Sequence, residues 1–279
     1  QVAEMQVESI QMAVPAAVPV TSGGTAESAL SKLSDLSSTL TFDLVGSRIA
    51  NAGGLVNQTL AGNMPVVNAE GREVLKLAFE SSQRSKHLRA SLTLPSGETI
   101  ADLQMGTPPQ GGAGGLMSSI AASYSHQPPP PIQLSVLGQA YASYTVASYM
   151  NLLIQSNARW NRADGTGGAA VSIESPHNMC CFCIPNAANQ TFPRKKSPLG
   201  KQEVLMAVQF DGASASENTS IHLISDKKEG RMRSPHATVY RKVMCELDGN
   251  SGEARKRLDL LLIGASLAAF NVTQAIPSN

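Results

Sequence analysis

The chain has 279 residues, of which 42% are apolar, 15% charged and 4% aromatic, and its formal net charge is +1. That apolar content supports a sizeable core, and the balanced charge excludes capture of nucleic acid or membrane by a global field. Its longest apolar runs, Leu260–Ile263 and Leu267–Phe270, fall far short of the roughly 20 residues of a membrane span, so no spanning helix is expected.

Residues 1–24 are rich in Ala, Val, Pro and Gln, and Pro15 and Pro19 interrupt any helix there. The start at Gln1, without an initiator Met, is read as processed or trimmed, and residues 1–20 carry neither the basic n-region nor the apolar run of a signal peptide. Leu30, Leu33, Leu36 and Leu40 recur at helical spacing and predict one short amphipathic helix. The Gly- and Asn-rich stretch 51–63 reads as irregular. Residues 1–64 are therefore expected to form an N-terminal arm, extended along the body or onto a neighbour, and residues 65–279 the folded domain.

Beyond the arm the period changes to two. Leu75, Leu77 and Phe79 share a face, and Leu88, Ala90, Leu92 and Leu94 alternate with Arg89, Ser91 and Thr93 before the turn Pro95-Ser96-Gly97. Ile132–Leu137, Tyr141–Leu153, the run Ala169, Val171, Ile173, the run Val204, Met206, Val208, Phe210, then Ser220–Ser225 and Val239–Leu247 are further strands. Leu258, Leu260 and Leu262 are expected to open the last one. Some eight to ten short strands predict an all-β fold, a sandwich or barrel. The Gly-rich and Pro-rich stretches Gly106–Pro131 and Asn178–Gly200 read as long loops.

The densest chemical cluster is His177 with Cys180, Cys181 and Cys183. Adjacent Cys180 and Cys181 point apart in a strand instead of pairing across a C-x-x-C turn. Reduced thiols, with Cys245 also free, are the expectation, and no metal site is assigned. No G-x-S-x-G elbow or Walker lysine loop is present, and Gly165-Thr166-Gly167-Gly168 lacks the strand-to-helix context of a phosphate cradle. No catalytic, cofactor-binding or metal-binding residue is therefore named, and the chain is expected not to be an enzyme. A lone His such as His222 reads as structural. The basic clusters Arg194-Lys195-Lys196, Lys227-Lys228 with Arg231 and Arg233, and Arg255-Lys256-Arg257 read as solvated turns, since no aromatic residues interleave them to stack on bases. The sequons at Asn57, Asn189, Asn218 and Asn271 are expected to be unused.

Two stretches carry a resemblance to a known family. Tyr144–Pro176 resembles a strand, Gly-containing turn, strand and terminal Pro, and Arg257–Pro277 resembles a closing strand and tail, of the coat proteins of picorna-like icosahedral RNA viruses. That resemblance implies an eight-stranded antiparallel jelly-roll β-sandwich with an extended N-terminal arm. It implies a structural capsid subunit cut from a polyprotein, made in the host cytoplasm and assembled into a virion around the genome. Its partners would be other capsid subunits, with weak contacts to genomic RNA and a host receptor. The alternative is a secreted β-sandwich adhesion or carbohydrate-binding module, using Trp160 with Tyr141, Tyr144 and Tyr149 to stack on sugars.

Overall fold

A computed structural model describes residues 27–29, 31–33, 38–44, 48–52, 59–82, 87–106, 130–146, 157–173, 195–196, 202–213, 219–225, 242–247 and 254–274. After short helical pieces at 27–29 and 31–32 come the strands. They are β1 (Thr39–Asp43), β2 (Arg48–Ala52), β3 (Thr59–Asn68), β4 (Glu73–Ser82), β5 (His87–Thr93), β6 (Thr99–Met105) and β7 (Ile132–Val136). They continue as β8 (Gln139–Val146), β9 (Asn157–Arg162), β10 (Gly168–Ile173), β11 (Lys195–Lys196), β12 (Gln202–Phe210), β13 (Thr219–Ser225) and β14 (Lys242–Glu246). A helix, α1 (Ala254–Gln274), follows them.

Every strand pairs antiparallel with its neighbours, largely in chain order. The ring closes at β1, where Leu40 lies opposite Cys245 of β14 on one side and Asn68 of β3 on the other. Twelve strands of the described residues thus form a closed barrel, with β2 and β11 attached outside the ring to β3 and β12. This corrects the expected eight-stranded jelly roll. A jelly roll and an up-and-down barrel share the same in-out alternation, and they differ in which strands pair, a non-local property. Residues 39–43 and 59–64, assigned to the arm from sequence, are barrel wall, and Leu40 and Phe42 are fully buried. Residues 1–26, the cluster His177–Cys183, most of the Gly106–Pro131 loop and the Lys227–Arg233 cluster lie outside the described residues.

The wall alternates as period two requires. Leu88, Ala90 and Leu92 of β5 point inward, while Arg89 is exposed. Lys76, Glu80, Gln104, Gln133, Arg159 and Gln209 are likewise exposed on the outer face. Apolar-in and polar-out is the reverse of a membrane barrel's alternation. No helix among the described residues is long and apolar enough to cross a membrane.

The lumen decides the second correction. Eight strands make a barrel that side chains alone can fill, and twelve leave it wider. Here the space is taken by α1, whose body is about 10 Å across. Leu258, Leu260, Leu261, Leu262, Ile263, Ala265, Ala268 and Ala269 are all buried. A helix surrounded by wall on every side is apolar on every side and shows no 3.6-residue stripe. Its run therefore read as a strand from Leu258, Leu260 and Leu262. Each large side chain so buried is worth on the order of 1.5–3 kcal/mol. Gly264 sets how near α1 lies to the wall, because a Cβ there would stand 2.1 Å from Cys245 Sγ and 3.2 Å from Phe42 Cε2.

A groove at a bulge in the barrel wall

The β7–β8 hairpin turns at Leu137 and Gly138, both in the left-handed region (φ 47° and 79°), as a two-residue hairpin turn of matching twist requires. Gln139 then faces Val136, and Ala140 faces Ser135. Between Ser135 and Leu134 the register slips, so that Leu134 pairs with Ala142 and Tyr141 is the extra residue. Tyr144 pairs with Trp160, and both are buried. Simple alternation from Tyr144 would send Tyr141 to the outer face, but the bulge turns it inward, as bulges do when they re-aim a side chain.

Two features result. Outside, the opened ladder leaves a groove of about 360 Å³ across β6–β9. Ala140, Ala142 and Leu134 line it together with Ser135 and Ser143. Gln104, Gln133 and Asn161 bring carboxamides, and Asp102 a carboxylate that accepts a bond from Ser91 Oγ at 2.6 Å. No His, Lys or Cys is among the described lining residues.

Inside, Tyr141 reaches α1. Its hydroxyl donates to Asp259 Oδ1 at 2.9 Å, and Arg162 Nε donates to Asp259 Oδ2 at 2.9 Å, with Nη2 reaching the same oxygen. Asp259 is fully buried, and the Arg162 side chain, which also borders the groove, is 11% exposed. Tyr141 and Trp160 pack with ring centroids 6.4 Å apart at 56°. The Trp160 indole N–H is buried in this cluster without reaching a hydrogen bond. Burial pushes the Asp259 carboxyl above the ordinary carboxylate range against the opposing pull of Arg162. Burial, then the Asp259 charge, raises the Tyr141 hydroxyl as well, so it stays a neutral donor. One turn earlier Arg255 pairs with Asp164 of the β9–β10 turn, and Lys256 lies 5.9 Å from the centre of the Phe210 ring.

Compared with family models, curated proteins and solved structures, the chain shows no match. The site must therefore be read from its own residues. Trp160, Tyr141 and Tyr144 are core residues, so they offer no surface for stacking a sugar; Tyr149 lies outside the described residues. The third basic cluster is not a solvated turn, since Arg255, Lys256 and Arg257 form the first turn of α1. Basic residues oppose the helix dipole there, and Asp164 and the Phe210 ring supply compensating contacts. Asp164 also caps the turn containing Gly165–Gly168, accepting from the Thr166 N–H at 3.0 Å and its hydroxyl at 2.7 Å. His222 lies on the wall with Nε2 3.4 Å from Glu246 Oε1.

Reasoning from sequence missed Asp259 and Arg162. The available signal was a single acid inside the apolar run Leu258–Phe270, since such a charge needs a partner when buried. Cys245 is buried against α1, and burial pushes its thiol up to about 12. Thiolate is the reacting species. Alkylation at pH 8 followed by peptide mapping should therefore label Cys245 only as fast as the barrel opens. Prompt, complete labelling of Cys245 in the native protein would contradict this packing.

Proposed function

We propose that this protein is a non-catalytic binding module that recognises a small polar ligand in the outer-wall groove over β6–β9. The observation that carries the reading is that α1 fills the lumen, the place where many barrels hold their ligands. The groove is a concave surface lined by carboxamides, hydroxyls and one carboxylate. These groups bind and orient, and among the described lining residues no His, Lys or Cys stands beside the hydroxyls.

A fragment screen of small polar compounds, read by amide shifts of the full chain, tests the proposal. Hits should cluster on Gln104, Gln133, Ser143 and Asn161 and disappear in Ala140→Trp, which fills the groove from an exposed position. Hits scattered over the wall, or unaffected by Ala140→Trp, would overturn it.

A further inference from the structure

We infer that the groove takes a neutral saccharide, gripped through adjacent ring hydroxyls; this rests on the binding reading above. The lining chemistry points there. A carboxamide presents a donor and an acceptor in one plane, and a carboxylate presents two acceptors. Neighbouring hydroxyls on a pyranose ring present the complementary alternation. Gln104, Gln133 and Asn161 supply three such carboxamides, the last with its oxygen already accepting from Arg159 Nε at 3.3 Å, and Asp102 the carboxylate. The bond from Ser91 holds Asp102 through Oδ1, and its second oxygen has no partner among the described residues. Between these groups the exposed Ala140 methyl presents a small apolar spot that suits the C–H face of a sugar.

Other ligand classes fit less well. An anion would meet the Asp102 carboxylate, and the one guanidinium among the described lining residues, Arg162, is already engaged by Asp259. A divalent cation favours several oxygen ligands with more than one carboxylate, and Asp102 is the only acid among the described lining residues. An apolar ligand would desolvate three carboxamides without pairing them, a costly step. No aromatic ring is among the described lining residues, so a single site binds weakly.

The test titrates the 15N-labelled full chain with methyl glycosides of several hexoses and N-acetylhexosamines. A parallel titration uses N-acetyl amino-acid amides. At least one glycoside should shift the side-chain carboxamide signals of Gln104, Gln133 and Asn161. Gln133→Ala and Asn161→Ala, both at exposed positions, should each weaken that binding about ten-fold, the worth of a hydrogen bond or two, with the thermal midpoint unchanged. If the glycosides leave these signals still while the amides move them, the saccharide assignment is wrong and the groove reading stands. If neither set moves them, both fall. Glycoside shifts that survive in the two variants would also overturn the assignment.

Discussion

Replacing Asp259 by Ala should destabilise the fold by about 3–5 kcal/mol, the range for removing one partner of a buried ion pair. The variant leaves the Arg162 guanidinium, only 11% exposed, without its carboxylate, and removes the acceptor of the Tyr141 hydroxyl. Asp259→Asn should cost less, because the amide oxygen still accepts from Arg162 and the Tyr141 hydroxyl can accept from the amide N–H. Chemical denaturation of the two variants beside the wild type measures both effects. The pH dependence gives a separate check. An unfolded aspartate ionises near about 3.9, and the folded Asp259 ionises higher because burial disfavours its charge. Between those two values the native state holds a proton that the unfolded state has released, so this stabilising contribution is lost as pH rises through the window. The midpoint advantage of wild type over Asp259→Asn should therefore be largest in acid and shrink towards neutrality. An advantage that grows with pH would mean that Arg162 outweighs burial and that the folded carboxyl ionises below the ordinary range.

Gly264→Val should be about as damaging, near 3 kcal/mol, the upper part of the range for overpacking a core. Any Cβ at this position meets Cys245 Sγ at 2.1 Å and Phe42 Cε2 at 3.2 Å, and β branching adds bulk on the same side. Gly264→Ala is the sharper probe. Alanine gains up to about 1 kcal/mol of helix propensity over glycine, so a net loss in this variant isolates the clash. Removing the sulfur with Cys245→Ala should rescue it. The double variant Gly264→Ala/Cys245→Ala should be more stable than the sum of the single effects, by a coupling within about 0.5–3 kcal/mol. Additive effects would mean that α1 does not touch β14 at this point.

Much of the wall was legible. Leu75, Leu77 and Phe79, and again Leu88, Ala90 and Leu92, are buried as their spacing predicts, and the turn at Pro95-Ser96-Gly97 joins β5 to β6. Period two is a local property, because it depends only on which side of a strand each residue leaves. Leu40 misled for the opposite reason. It continued a helical spacing in sequence, but it lies in β1, where pairing with β14 and β3 overrides local preference.

The groove and the contacts beneath it were not legible. They depend on a single register slip between Leu134 and Ser135, which turns Tyr141 inward towards an acid that is far along the chain.

The sequence by itself determined many of the strands from β4 onward with their inward and outward faces, and the turn at Pro95-Ser96-Gly97, because alternation and turn chemistry act over a few residues; β1, β2, β6 and β9 were not among them. Only the tertiary structure decided that the strands close into a ring, that Leu258–Phe270 is a helix inside it, and that Asp259, Arg162 and Tyr141 meet. Closure joins β1 to β14 from opposite ends of the described chain. A segment enclosed on all sides loses the periodicity that would have revealed it. A buried carboxylate is tolerable only where distant partners converge on it, and no local pattern records where those partners will come from.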